Sequence, residues 1–153
     1  MKKVRFNHGC FSVKQNGNVS NVYVFGGYPG PMKSTEVLNV NDLTWSDGPD
    51  LPIGVHGNAG VESNDNQYLG FSVGGTTLVR NGRRRYQHTN TRTKYQYQEH
   101  QYQEHNIRYS YKNTIYGLQK SGENEKWIAF KSMNEPRYLA SAVNVPSSLL
   151  TFC

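Results

Sequence analysis

Two double glycines, Gly26-Gly27 and Gly74-Gly75, stand 48 residues apart, and the same interval separates His8-Gly9 from His56-Gly57. An internal repeat limits the possible folds more than any single motif does, because each copy must bury its apolar face against a neighbouring copy. Each double glycine closes a Tyr-containing apolar run, VYVFGG in the first unit and YLGFSVGG in the second. Trp45 follows the first glycine pair by 18 residues, whereas Trp127 follows the second by 52. The second unit therefore carries an insertion of roughly 30 residues between its glycines and its tryptophan, the size of a long surface connection. Past the tryptophans the frame recovers. Leu51 and Met133 each lie six residues on, and His56 and Tyr138 each lie eleven on.

The runs within a unit are short and bounded by turn residues, such as Asn16-Gly17 and Ser121-Gly122-Glu123-Asn124. No apolar period of 3.6 persists, so helices are not expected. Strands are predicted at 9–13, 21–25, 35–39 and 44–47, then at 57–62, 68–73, 114–119 and 126–131. Two more are predicted at 139–145 and 149–152. Only 18% of residues are charged and 15 are glycine, which suits short strands joined by turns. Four antiparallel strands per unit of about 48 residues, repeated, is the period of a β-propeller. A double glycine admits positive φ and close strand approach. A tryptophan on the outermost strand offers a large apolar surface to the next sheet.

These features resemble kelch repeats. Gly26, Gly27 and Trp45 match the family motif in the first unit, and Gly74, Gly75 and Trp127 match it in the second. Met133 with Arg137 resembles the Met-x-x-x-Arg that opens a blade, and Arg5 with His8 resembles its Arg-x-x-His variant. Where many kelch units place Tyr seven residues before Trp, this chain has Leu38. The resemblance covers residues 4–79 and 113–153. It implies an all-β, incomplete kelch-type propeller with blade one at 4–52, blade two at 53–133 and the start of blade three at 134–153. Kelch propellers usually close with five to seven blades. Two blades and a piece cannot close, so the chain is expected to be part of a longer product or to assemble with other chains.

The insertion, residues 80–112, holds eight basic and two acidic residues and so accounts for the whole net charge of +6. It contains the tandem pentamer QYQEH at 96–105 and almost no apolar residue except tyrosine. Such a segment cannot offset its ordering entropy by burial, and it is expected to be disordered. In an antiparallel meander it should share one face with the linkers 52–55 and 134–137. Loops gathered on one face of a rigid scaffold are where binding usually resides. Ile53, Arg83, Arg84, Arg85, Tyr86 and Arg137 are the candidate partner-binding residues.

No nucleophile elbow, phosphate-binding loop, zinc-protease motif or Cys–His pair is present, so the chain is read as non-catalytic, with no cofactor and no metal. Cys10 and Cys153 are expected to be free thiols, Cys10 buried, which favours a reducing, cytoplasmic setting. No apolar run is long enough to span a membrane. The resemblance implies a protein–protein interaction module, as in kelch propellers that present substrates to cullin ubiquitin ligases. Two alternatives remain open. The insertion pairs arginines with tyrosines, a combination that binds nucleic acid by phosphate contact and base stacking. The sequon Asn18-Val19-Ser20 would suit an extracellular adhesion propeller.

Overall fold

Short β-propensity runs separated by Gly- and Asn-rich turns leave the chain one way to satisfy its backbone, which is antiparallel pairing of sequence neighbours. The structure, a computed structural model, describes residues 1–64, 66–80, 107–122 and 124–142. Among these there is no helix. The first sheet is a meander of β1 (Gly9–Gln15), β2 (Asn18–Phe25), β3 (Thr35–Asn39) and β4 (Trp45–Gly48). The second has β5 (Ala59–Glu62) paired to β6 (Tyr68–Val73), β6 to β9 (Thr114–Ser121) and β9 to β10 (Asn124–Ser132). Between β6 and β9 stands a separate antiparallel pair, β7 (Thr76–Arg80) and β8 (Ile107–Tyr111). The two four-stranded sheets do not close into a ring.

Three sequence expectations are corrected. Arg80 and residues 107–111, placed within a disordered insertion, are paired strand from Thr76↔Tyr111 to Arg80↔Ile107. The run TTLVR faces IRYSY, and both are rich in β-branched and aromatic residues, so they pair before the low-complexity tract begins. Residues 139–142 are not strand, and the remainder of the predicted third-unit strands lies outside the described residues. Cys10, expected to be buried, is exposed on the edge strand β1, while its paired neighbour Val24 is buried.

Strand alternation gives each sheet two faces, and paired residues share a face. The front of the first sheet carries Phe11, Val13, Tyr23, Phe25 and Val37, as the pairings Phe11↔Tyr23 and Tyr23↔Val37 require. The back of the second sheet carries Tyr116, Leu118 and Trp127, from Trp127↔Leu118 and Ser72↔Tyr116. These two surfaces meet and form the core, together with Leu51 and Val55 of the connecting linker. The Trp127 ring lies 4.8 Å from that of Phe25, and its Nε1–H donates to Thr35 Oγ1 at 3.2 Å. Burying such a side chain stabilises the fold by about 2–3 kcal/mol before packing is counted.

The equivalence of the units reaches the backbone. Gly26 and Gly27 take φ of 68° and 102°, and Gly74 and Gly75 take 66° and 96°. Gly27 N–H donates to Val55 O at 2.8 Å, and Gly75 N–H donates to Arg137 O at the same distance. A Cβ on Gly26 would crowd Val55 O at 2.9 Å, and one on Gly74 would crowd Arg137 O at 2.6 Å. Leu51 N–H donates to Lys33 O at 2.8 Å, and Met133 N–H to Asn113 O at 2.7 Å. Glycine is needed at these pairs for two reasons at once: left-handed φ, and a linker carbonyl where a side chain would stand.

Candidate interaction face

Strands β2, β4, β6 and β10 end, and β1, β3, β5 and β9 begin, at the same edge of the two sheets. The β2–β3 connection, the linkers 49–58 and 133–142 and the β7–β8 pair therefore collect there. Backbone bonds tie them together. His56 and Thr76 exchange both bonds, at 3.0 and 2.9 Å, and Arg137 N–H reaches Lys112 O at 3.3 Å. The insertion's arm and the two linkers border one surface, as the meander argument requires.

That surface is aromatic. Phe6 packs on Tyr28 at 5.1 Å between centroids, and Tyr28 on His56 at 5.5 Å. The His56 ring also meets Tyr109 at 6.0 Å and Tyr138 at 5.6 Å, nearly perpendicular to both, and Tyr138 continues to Tyr111 at 5.9 Å. The outer members stay open to solvent: Phe6, Tyr109 and Tyr111 are each more than half exposed. The result is a continuous strip from the N-terminal segment to the β7–β8 arm. Tyrosines at such a strip offer large contact area with little rotamer entropy to lose.

His56 is the buried centre of the strip at 5% exposure, and neither ring nitrogen has a hydrogen-bond partner among the described residues. Burial lowers its pKa below the ordinary histidine value, so the ring is neutral at pH 7. Its repeat counterpart His8 is lowered too, first by burial and then by the nearby Arg5 charge. Both histidines serve as neutral packing groups in this arrangement.

Among the other predicted site residues, Arg137 is well exposed and pairs with Glu135 at 3.2 Å. Ile53 is only partly buried and packs against the core. Arg83, Arg84, Arg85 and Tyr86 lie outside the described residues. Trp45 is half-buried on the back of the first sheet, whereas Trp127 is enclosed.

No protein-family model matches the chain, and neither does any curated protein. The face must be read from its own chemistry. Among the described residues no three His, Cys, Asp or Glu side chains come together to hold a metal ion. A separate polar cleft of about 480 Å³ lies between the sheets beside Tyr23, Asn39, Asp47 and Glu125. Tyr23 Oη donates to Glu125 across it at 2.7 Å, and burial together with that carboxylate holds the phenol protonated.

Sequence reasoning missed two features. Arg5 and Glu36 form a fully enclosed ion pair at 2.7 Å. Arg5 also donates to the carbonyls of Gly26 and Ser34, both at 2.9 Å. Burial alone would raise the Glu36 pKa, but hydrogen bonds from Lys2 N–H, Arg5 and Lys3 N–H outweigh it and lower the pKa overall. The available signal was an acid set among apolar neighbours in a strand, EVLNV. The second feature is the aromatic strip, whose members are scattered from position 6 to position 138.

Proposed function

We propose that this chain is a non-catalytic protein-interaction module of kelch-propeller type, binding its partner through the aromatic strip and the flanking Arg137. The observation that carries the reading is the strip itself. Phe6, Tyr109 and Tyr111 stand exposed on a backbone-braced scaffold, and exposed aromatic clusters beside arginine are the usual anchors of protein interfaces. The matching glycine pairs and the tryptophan between sheets support the propeller reading, with the two sheets as successive blades. Substrate recognition for a cullin ubiquitin ligase is the finer form of the same proposal.

The test is quantitative affinity capture with wild type, Tyr109→Ala and Arg137→Glu, each checked for an unchanged melting curve. Specific partners should fall at least tenfold in recovery with either variant. A captured set unaffected by both would remove the reading.

A second reading is favoured by one observation. The exposed Tyr109 and Tyr111 stand within the segment 80–112 that carries the +6 charge. Single-stranded nucleic acid would be held by stacking on those rings and by phosphate contacts. Binding to an RNA oligomer that weakens steeply with salt and disappears on deletion of residues 81–106 would support it. A flat salt dependence would exclude it.

A further inference from the structure

We propose that the front face of the second sheet receives the back face of the first sheet of another copy of this chain, joined head to tail. This surface is separate from the aromatic strip, and the inference does not depend on the function proposed above.

The argument starts from the contact inside one molecule, where the front of the first sheet is covered by the back of the second through Trp127. Pairing register gives each face its counterpart. Leu38 pairs with Trp45 and Val22, as Leu118 pairs with Trp127 and Gly70. Trp45 thus holds in the first sheet the place that Trp127 holds in the second, yet it stays only half-buried and meets no aromatic ring among the described residues. Likewise Tyr23 pairs with Phe11 and Val37, as Phe71 pairs with Val61 and Gly117. Phe71 therefore lies on the second sheet's front, the counterpart of the face that Trp127 fills.

Among the described residues that front face is apolar and open to solvent at Phe130. Tyr68, Phe71 and Phe130 form a closed triangle of rings with centroids 5.1–5.4 Å apart, and Phe130 is 52% exposed. Val61 and Ile128 flank the triangle on the same face, both half-buried. Gly117 opens the floor beneath Tyr68 and Phe71, whose rings lie where a Cβ would stand. Among the described residues, one molecule thus carries a giving face that the N-terminal segment covers only in part and a receiving face left open, the two kinds of face it already joins internally. A second copy continues the established interface. A hydrogen bond is lost in the repeat, because Ile115 stands where Thr35 accepts from Trp127, so the contact between copies is weaker than the one within.

Since the giving and receiving faces differ, each added copy leaves both kinds available, and growth ends only by ring closure. The experiment is multi-angle light scattering of the full chain from about 1 to about 100 µM, the range for contacts of this kind. The average mass should rise at least twofold. Phe130→Glu blocks the receiving face and Trp45→Glu the giving face, and each variant alone should stay monomeric. Their equimolar mixture should give a one-to-one dimer and nothing larger, since each retains one intact face. Leu38→Lys replaces Trp45→Glu if the latter melts early. A wild type that stays monomeric at every concentration overturns the proposal. It is equally overturned if the mixture stays monomeric, or if either variant still self-associates.

Discussion

The two sheets are built on one pattern but are finished differently. In the first, the front is filled by Trp127 and the back is partly covered by the N-terminal segment, which plugs it with the Arg5–Glu36 pair. In the second, the back is filled, and among the described residues the front is left open around Phe130. The same places on the back are occupied by unlike chemistry. Glu36 pairs with Val24 and Tyr116 pairs with Ser72, so Tyr116 stands where the first unit has its buried acid. Ile53, 48 residues after Arg5, stands where the first unit has its buried cation. An apolar linker can pack on an apolar sheet, whereas a polar N-terminal segment must be held by charge and hydrogen bonds. The comparison shows that the architecture is set by the shared backbone pattern and that side chains adapt to whatever covers each face.

The sharpest way to break the comparison is to truncate the two tryptophans. Trp127→Ala removes the enclosed indole and its bond to Thr35, and should cost about 3–5 kcal/mol, read as a lowered urea midpoint. Trp45→Ala, at the same register place but only half-buried, should cost about 1 kcal/mol or less in the monomer. Equal losses would show that the two places are energetically alike and that the distinction between filled and vacant faces is wrong.

Next in size is the buried pair. Arg5→Ala strands an ionised Glu36 in an enclosed site and should cost about 3 kcal/mol by urea titration. Arg5→Ile with Glu36→Tyr copies the second unit's solution, and the double variant should be more stable than either single one. If the double variant is as unstable as the sum of its parts, the two places are not interchangeable.

The parts of this fold legible in the sequence were those written locally. Short apolar runs, turn residues and the 48-residue repeat placed the eight sheet strands, and the glycine pairs marked positions that admit positive φ. The paired arm was partly hidden, because Thr76–Arg80 and Ile107–Tyr111 flank a tract whose composition forms no core. The Arg5–Glu36 pair and the aromatic strip were not legible, since both depend on which residues the turns bring together. The shared edge of the linkers followed from topology alone. Its aromatic content did not, because Phe6, Tyr28, Tyr109 and Tyr138 sit at unrelated offsets.

The glycine pairs sharpen the comparison from the other side, since here the units should behave alike. Gly27→Ala and Gly75→Ala each force a Cβ into left-handed backbone, which costs roughly 1–2 kcal/mol, and each crowds a neighbouring segment at 3.0 Å, Phe6 O for Gly27 and Asn58 Cβ for Gly75. Matching losses in thermal melts are expected. A large difference would mean that the two turns, despite equal φ, carry unequal loads.

The smallest effect separates the histidines from the acid by pH. His56 is buried with neither nitrogen partnered, and its folded-state pKa is below the unfolded value of 6.5. The unfolded chain therefore binds the proton first as pH falls, and stability declines from about pH 6.5 downward until the lowered pKa is passed. Glu36 acts in a different window. Its folded pKa lies below the ordinary value of 4.5, so its contribution is intact above that pH and is lost only as the acid range is entered. Urea midpoints measured from pH 7.5 to pH 5 should fall, and His56→Phe should flatten that slope without changing the loss below pH 4.5. His8, lowered in the same direction, leaves a residual slope in the variant. A slope unchanged by His56→Phe would mean that His56 gains a partner in solution, and that the centre of the aromatic strip is more open than its packing indicates.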